Sequence, residues 1–219
     1  MKRFYSHLDY PSRGTMSHLL SVFYKMKEVD DPNDADVIVW NGGEDISTSI
    51  YLEQSVVRGV PSSMSSRDID EIALFNEYKN DPSKLLIGIC RGAQLLNCLN
   101  GGKLYQDVDG HNRSHDMMDL RSGEVVQVTS THHQQMIAAP KGGEIIGVAS
   151  CSKYKDHESG IEHFVTSRDL RHGADVEIMW YPKTRSLLIQ GHPEYVPNSR
   201  FASYTLELMK EFYPKKMAA

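Results

Sequence analysis

The chain has 219 residues, of which 40% are hydrophobic and 24% are charged. This composition excludes an intrinsically disordered chain and predicts one globular domain spanning residues 1–219. With 24 basic and 29 acidic residues, the net charge is −5, and no basic cluster is longer than a pair such as Lys215-Lys216. We therefore expect no nucleic-acid partner and no attraction to a membrane surface.

The first nine residues lack the apolar stretch of a signal peptide, and no later segment approaches the ~18 apolar residues of a membrane helix. We expect a soluble cytoplasmic protein. The three cysteines, Cys90, Cys98 and Cys151, are odd in number and lack C-x-x-C spacing. This pattern predicts neither a disulfide framework nor a cysteine-based zinc site, and it is compatible with one free reactive thiol.

Val- and Ile-rich runs alternate with segments of helical period in the first half of the chain. This alternation predicts an α/β fold with a mostly parallel central sheet flanked by helices, in flavodoxin-like layers. Strands are predicted at 3–8, 36–40 and 85–89, and helices at 15–26, 67–78 and about 92–99. The apolar faces of the first two helices are predicted to be Met16, Leu19, Leu20, Phe23 and Met26, and Ile69, Ile72, Ala73 and Phe75.

The second half of the chain changes character. Strand-like runs separated mostly by polar loops predict a small antiparallel sheet, with strands at 125–129, 145–148, 161–166, 176–180 and 186–190. An amphipathic helix at about 199–212 presents Phe201, Tyr204, Leu208 and Phe212 for docking. The polar segments 151–160 and 168–174 match no predicted element.

A cysteine stands at the junction between a predicted strand and a predicted helix. The segment KLLIGICRGAQLL contains a G-x-C-x-G turn, which is the nucleophile elbow with Cys in place of Ser. Gly88 and Gly92 let the strand and helix approach closely, so the sulfur of Cys90 should project at the carboxyl edge of the sheet. The start of a helix favours negative charge and hence the reactive thiolate. A free cysteine is more often buried and structural, as we interpret Cys98 and Cys151, but the two glycines favour a nucleophile here.

A second predicted strand runs directly into a histidine, in the segment LLIQGHPEY. Pro193 favours extended geometry at His192, so the side chains of His192 and Glu194 should project to the same side. Glu194 would orient the imidazole, which would take the proton of Cys90 and later protonate a leaving nitrogen. Taken alone, the motif also fits a surface turn with a solvated carboxylate. A cysteine nucleophile at Cys90 needs a base of this kind, and this favours a catalytic triad of Cys90, His192 and Glu194.

Acyl transfer also requires two backbone N–H donors for the developing oxyanion. Arg91 follows the nucleophile at the helix start, and Gly43 lies in the turn after the strand at 36–40. A Gly-Gly turn is often only a connection. Because parallel strands end at one edge of a sheet, we expect both turns to lie beside Cys90.

The ten histidines raise the alternative of a metal site. His111 and His115 are spaced i, i+4, and His132 and His133 are adjacent. The Asp, Gly, Asn and Ser residues around His111 disfavour the helix that would place both imidazoles on one face. Three or four ligands at fixed spacing are missing, so we predict no metal site and no cofactor.

Six motifs follow one another between residues 36 and 195: Gly42-Gly43-Glu44-Asp45 with Tyr51, Arg67-Asp68 with Glu71, Gly88 to Gln94, Gly101 to Asp107, Ser130 to Gln134, and His192-Pro193-Glu194. In this order they resemble the class I glutamine amidotransferase family, and most specifically its γ-glutamyl hydrolase branch, which includes γ-glutamyl-γ-aminobutyrate hydrolase. The resemblance implies a mixed sheet flanked by helices.

The resemblance also implies roles for individual residues. The triad would be Cys90, His192 and Glu194, and the oxyanion hole would be formed by Gly43 and Arg91. Three further residues would help to hold the glutamyl moiety: Gln94, His132 and His133. Three positions depart from the family's pattern: Asn41 and Thr48 stand where Pro is usual, and Gly191 replaces the common aromatic residue. We expect Gly191 to loosen one wall beside His192.

The activity implied is cleavage of the γ-glutamyl C–N bond of glutamine, or of a γ-glutamyl amine or peptide, through a thioester on Cys90. The alternatives are a glutaminase that delivers ammonia to a separate synthetase and a non-catalytic γ-glutamyl-binding relative, which would normally lose a triad residue. A papain-like protease would place its nucleophile near the chain start. Arg91 and Asp45 could line the amine side, although we favour an Arg91 held by Glu71 or Asp68.

Overall fold

The computed structural model describes residues 2–7, 14–55, 57–108, 110–139, 141–149, 152–155, 162–165 and 175–214. The predicted strand at 161–166 is therefore described only at 162–165. Most of the segments 151–160 and 168–174, to which we assigned no predicted element, lie outside the described residues.

The described strands are β1 (Arg3–His7), β2 (Lys27–Glu28), β3 (Val37–Trp40), β4 (Leu85–Ile89), β5 (Lys103–Tyr105), β6 (His115–Asp119), β7 (Val125–Val128), β8 (Gln135–Ile137), β9 (Glu144–Ala149), β10 (Ser152–Lys155), β11 (Glu162–Val165), β12 (Val176–Tyr181) and β13 (Ser186–Ile189). One sheet has the order β2-β1-β3-β4-β13-β12-β9-β6-β7, with β8 joining β12 to β5. Strands β10 and β11 form a separate antiparallel pair.

The sheet has a parallel half and an antiparallel half. Pairings from β2 through β1, β3 and β4 to β13 are parallel, and the pairings beyond β13 are antiparallel. Strands β3, β4 and β13 are buried at every position, as continuous apolar runs predict for parallel strands covered on both faces. The predicted fold class is confirmed. Strands β2, β5 and β8 were not predicted because segments of two or three residues show no period.

The helices are α1 (Met16–His18), α2 (Ser66–Tyr78), α3 (Arg91–Leu99) and α4 (Arg200–Phe212), with short 3₁₀ turns at Pro32–Asp34, Thr48–Tyr51 and Pro193–Tyr195. Helices α2 and α3 cover one face of the sheet, and α1 and α4 cover the other. Strand β4 shows the division, because Leu85, Ile87 and Ile89 face the α1 and α4 side and Leu86 faces α2 and α3. Within the described residues, no helix is long and apolar enough to span a bilayer.

The single α-helix predicted at 15–26 is wrong in its second half. After α1 the chain continues as a π-helix at Leu19–Phe23, and the wider turn changes which residues share a face. Leu19 and Leu20 are buried, but Phe23 is 38% exposed.

The buried face of α2 also differs from the predicted apolar face. Ile69 is 55% exposed, whereas Asp68 and Glu71 are buried together with Phe75. The spacing of apolar residues did not predict the buried face, because that side of the helix faces a cation, the side chain of Arg91.

That cation belongs to a buried network that joins α2 to α3. The Arg91 guanidinium is 1% exposed and donates to the carboxylates of Asp68 and Glu71. Arg67 donates from Nε to Glu71 Oε1 at 2.9 Å, so Glu71 lies between two arginines. The main-chain carbonyl of Glu71 also accepts from Trp40 Nε1 at 3.2 Å. The expectation that a carboxylate holds Arg91 is confirmed, and both named carboxylates do so.

The turn between β4 and α3 has the geometry of an elbow. Cys90 has φ 49° and ψ −110°, a strained conformation for a residue with a side chain. A Cβ at Gly88 would lie 2.6 Å from the backbone of Ala93, and one at Gly92 would overlap the carbonyl group of Trp40. Both glycines are therefore required for the close approach that the sequence predicted.

The substitution Glu71→Gln should destabilise the fold, because it removes the carboxylate shared by Arg67 and Arg91 and leaves Arg91 with Asp68 alone in a buried site. We expect a loss of about 3 kcal/mol in the free energy of unfolding, measured by urea denaturation. Glu77→Gln, on the exposed side of the same helix, is the matched control and should cost less than about 0.5 kcal/mol. Equal effects of the two substitutions would contradict the role given to the network.

Candidate active site

Three neighbouring parallel strands end at one edge of the sheet and deliver the predicted catalytic groups. Trp40 is in register with Gly88, and Ile89 with Ile189. The next residues along each strand are the Asn41 turn, Cys90 and the Gln190 to His192 segment. The N–H of Cys90 donates to the carbonyl of Ile189 at 2.9 Å, which fixes the elbow against β13. Groups far apart in sequence are thus brought together by strand order.

Cys90 and His192 are adjacent in space. Both line a cavity of about 200 Å³, and Cys90 acts on the imidazole closely enough to raise the pKa of His192. A Cβ at Gly42 would lie 2.9 Å from Cε1 of His192 and 3.6 Å from Cβ of Cys90, so the turn at Gly42 packs directly against the pair. Cys90 is 7% exposed and lines this cavity.

The carboxylate of Glu194 holds the other side of the imidazole. Its Oε1 lies 2.7 Å from Nδ1 of His192, and both residues are buried. The N–H of His192 donates to the carbonyl of Thr129 at 2.7 Å, and the hydroxyl of Thr129 donates to the carbonyl of His192. Cys90, His192 and Glu194 therefore lie side by side, with the Glu194–His192 hydrogen bond behind the nucleophile at the cavity. The alternative of a surface turn with a solvated carboxylate is excluded by this burial.

The electrostatics of the pair favour a charged imidazole. Burial disfavours the cation, but the hydrogen bonds and charges of Cys90 and Glu194 outweigh it and raise the pKa of His192 to about 11. The imidazolium form therefore predominates at neutral pH, which makes the ring a proton donor poised beside the sulfur. Burial raises the pKa of the Cys98 thiol, which disfavours its reactive thiolate.

Gly43 and Arg91 both lie beside the nucleophile. Gly43 lines the cavity with φ 147°, in the region that favours glycine. Arg91 begins α3, and its N–H is among the first-turn donors that have no acceptor within a helix. The Arg67 guanidinium donates from Nη2 to the carbonyls of Asn41 and Gly42, both at 3.0 Å. Arg67 thus fixes the glycine turn from the same network that holds Arg91.

Two of the departures from the family's pattern have structural explanations. Asn41 donates from Nδ2 to Ser6 Oγ at 3.0 Å and to the carbonyl of His7 at 2.8 Å, so it ties the turn to β1 where a proline could not. The expectation that Gly191 loosens a wall is wrong. A Cβ there would lie 2.8 Å from the Thr129 carbonyl oxygen and 3.0 Å from the ring of Phe201, so that space is already filled.

The three residues predicted to hold the glutamyl moiety all line the cavity. Gln94 donates from Nε2 to the carbonyl of Gln134 at 3.1 Å. His132 is buried, and burial lowers its pKa to about 3, so the ring is neutral. His133 lies at the exposed rim, where the hydrogen bond with Asp45 at 3.0 Å is the main cause of its raised pKa.

Sequence reasoning missed three residues of the cavity wall, which are Thr131, Gln134 and Tyr195, whereas Asp45 lines the cavity as we expected. The side-chain amide of Gln134 is buried and has no hydrogen-bond partner among the described residues, so it is available to a ligand. Tyr195 stacks on His192 with ring centroids 4.3 Å apart and planes at 4°. Thr131 and Gln134 lie within the Ser130 to Gln134 motif, and Tyr195 directly follows the His-Pro-Glu triplet. Their positions in or beside these motifs could have identified them.

A buried histidine cluster lies behind His132. The rings of His111 and His115 have centroids 4.5 Å apart, and those of His111 and His132 4.8 Å apart. The prediction that no helix forms between His111 and His115 is confirmed, because His111 precedes β6 and His115 begins it. The loop, rather than a helix, brings the two rings together.

Comparisons with known proteins agree with this geometry. A putative glutamine amidotransferase-like protein YvdE of Lactococcus lactis subsp. lactis is 36% identical over 98 residues, covering 45% of this chain and 39% of that protein. The carbamoyl phosphate synthase small chain of Aquifex aeolicus is 32% identical over 98 residues, covering 44% of this chain and 26% of that protein. The chain thus spans less than half the length of either relative.

The crystal structure of a glutamine amidotransferase from Thermotoga maritima superposes with a TM-score of 0.59, at 13% identity, over 96% of this chain and 83% of that one. This likeness is one of fold. The family model for peptidase C26 matches residues 29–194, well over half of the chain. The protein therefore belongs to the peptidase C26 family, which is class I glutamine amidotransferase-like.

Proposed function

We propose that the protein is a cysteine-dependent hydrolase that cleaves the γ-glutamyl C–N bond of glutamine, or of a γ-glutamyl amine or peptide. The observation that carries the proposal is the buried Glu194–His192 hydrogen bond beside Cys90 at the wall of one cavity. A thiol nucleophile also fits a reducing compartment such as the cytoplasm.

In the first half of the reaction the Cys90 thiolate attacks the γ-carbonyl carbon and a C–S bond forms. The negative charge moves to the carbonyl oxygen, which the N–H groups of Gly43 and Arg91 would stabilise. As this intermediate collapses, the C–N bond breaks and the His192 imidazolium donates its proton to the leaving nitrogen. Ammonia or an amine leaves, and a thioester remains on Cys90 beside a neutral imidazole.

In the second half, water replaces the amine. The neutral His192 takes a proton from water as the oxygen attacks the thioester carbon, and the C–S bond then breaks with its electron pair returning to sulfur. The acid product releases its proton to solvent as glutamate. Glu194 stabilises the imidazolium each time it forms. The sulfur and the imidazolium are thereby returned to their starting state.

The cavity supports the glutamyl part of this substrate. Its volume of about 200 Å³ suits one amino-acid-sized group, Gln94 and Gln134 offer polar atoms deep in it, and the buried ring of His132 forms part of the same wall. At the rim, His133 and Asp45 stand where the leaving amine would exit. Because Arg91 is held by Asp68 and Glu71, it contributes its backbone N–H rather than its charge.

A glutaminase subunit that passes ammonia to a separate synthetase is the second candidate. It is favoured by the likeness to a carbamoyl phosphate synthase small chain. The two candidates share the chemistry at Cys90 and differ in whether an ammonia acceptor is bound. Full glutamine turnover by the isolated chain supports the free-standing hydrolase, and turnover that requires an added synthetase supports the subunit.

The substitution Cys90→Ala should abolish turnover of glutamine and of a panel of γ-glutamyl amines, because no other thiol reaches the cavity among the described residues. The measurement is glutamate release, together with mass spectrometry of the chain after treatment with a glutamine-mimicking electrophile. Cys98→Ala is the matched control and should keep both turnover and labelling at Cys90. Undiminished turnover in Cys90→Ala would refute the proposal.

The substitution Glu194→Gln should lower kcat/KM by roughly 10²–10⁴-fold and should change the pH profile. The carboxylate helps to raise the pKa of His192 to about 11, so its removal lowers that pKa and the imidazolium is lost at lower pH. The alkaline limb of kcat/KM should therefore move down by about 1–3 pH units. Glu211→Gln, a surface change in α4, should leave the profile in place. An alkaline limb that stays in place in Glu194→Gln contradicts the assigned role.

A further inference from the structure

A second polar centre lies behind the wall of the cavity. Glu177, in β12, is 1% exposed, and its Oε1 lies 3.2 Å from Nδ1 of His111, 3.2 Å from Nε2 of His115 and 3.9 Å from Nε2 of His132. Neither carboxylate oxygen makes a hydrogen bond within the described residues, and neither does Nε2 of His115 or of His132. Three ring nitrogens thus converge on one buried carboxylate.

The far side of each ring is held by an acceptor. His132 Nδ1 lies 2.9 Å from the carbonyl of Gln134, His115 Nδ1 lies 3.1 Å from the carbonyl of Arg113, and His111 Nε2 lies 3.5 Å from Asp175. Carbonyls and carboxylates only accept, so these nitrogens carry the hydrogen. The opposite nitrogen of each ring is the one that faces Glu177. Histidine ligands of metals have this arrangement, with one nitrogen on the metal and the other donating to an oxygen.

The carboxylate oxygens of Glu177 and Nε2 of His132 are buried and make no hydrogen bond within the described residues, so they are free to bind a cation. The donor atoms of His111, His132 and Glu177 all lie within 4.8 Å of one another, close to the roughly 3–4 Å that separates ligands around a zinc ion. Charge also balances, because a divalent cation would neutralise Glu177 and Asp175. Two imidazoles with one carboxylate suit zinc or a similar first-row ion, whereas magnesium and calcium prefer oxygen alone.

We propose that His111, His132 and Glu177 bind one divalent transition-metal ion of the zinc type. His115 would position the bound oxygen of Glu177, and Asp175 would position His111. The ion would join the loop before β6, strand β12 and the segment that carries His132 into the cavity wall. Its role is structural, and the site is separate from Cys90. The ligands come from three distant segments, and for this reason the sequence spacing did not predict them.

The test uses the full chain, stripped with a chelator and then titrated with zinc. Calorimetry and metal analysis should give one bound ion per chain in the parent and less than about a tenth of that in Glu177→Gln. His18→Asn is the histidine control outside the cluster. Cys90→Ser is the second control, because it removes the sulfur that lines the cavity and could itself bind zinc. Both controls should keep the full ion. A parent chain that retains no zinc overturns the proposal, as does zinc that is lost in Cys90→Ser and kept in Glu177→Gln.

Cobalt provides a readout that does not depend on the folding of a variant. Cobalt bound by nitrogen and oxygen ligands in the parent should give visible d–d absorption without an intense thiolate-to-cobalt band in the near ultraviolet. A strong thiolate band that disappears in Cys90→Ser would place the metal on the nucleophile and overturn the proposal. Because the ion count is read without substrate, failure of this site and failure of the proposed hydrolase are distinguishable.

Discussion

The buried carboxylate of Glu71 is the constraint on which the rest of the site depends. It accepts from Arg67 and Arg91, and each arginine controls one part of the candidate oxyanion hole. Arg67 fixes the glycine turn through two backbone carbonyls, while the backbone of Arg91 begins α3 beside the nucleophile. A charge placed between two cations in a dry interior is costly to disturb. The turn and the helix start are therefore held in one geometry.

Strand order supplies the second constraint. In the sequence β3-β4-β13, the carboxyl ends of neighbouring parallel strands place the glycine turn, the cysteine and the histidine side by side. Close packing at Gly88 and Gly92 then forces Cys90 into its positive φ, which turns the side chain toward the cavity. The strain at Cys90 is offset by the packing on either side of it. Precision at the nucleophile therefore comes from backbone contacts and not from the cysteine itself.

The antiparallel half of the sheet carries the residues that form the far wall of the cavity. Thr129 holds His192 through paired main-chain and hydroxyl bonds, and the following residues carry His132 and Gln134 inward. Behind them, Glu177 gathers three imidazoles in a buried centre. An ion bound by His111, His132 and Glu177 would hold the wall opposite the nucleophile in place. Each half of the sheet would then have one buried cluster of charged groups that fixes the cavity, the Glu71 network on one side and the metal centre on the other.

The sequence by itself determined the fold class, the elbow at Cys90 and the His192-Glu194 pair, because these depend on local signals: apolar runs, flanking glycines and a proline that fixes its neighbour. It did not determine the π-helix after α1 or the buried face of α2, where a tertiary partner, Arg91, overrode the apolar period. Nor did it determine the wall residues or the His111, His132 and Glu177 centre. Those groups lie on separate loops and strands, and only the packing of the sheet brings them within bonding distance.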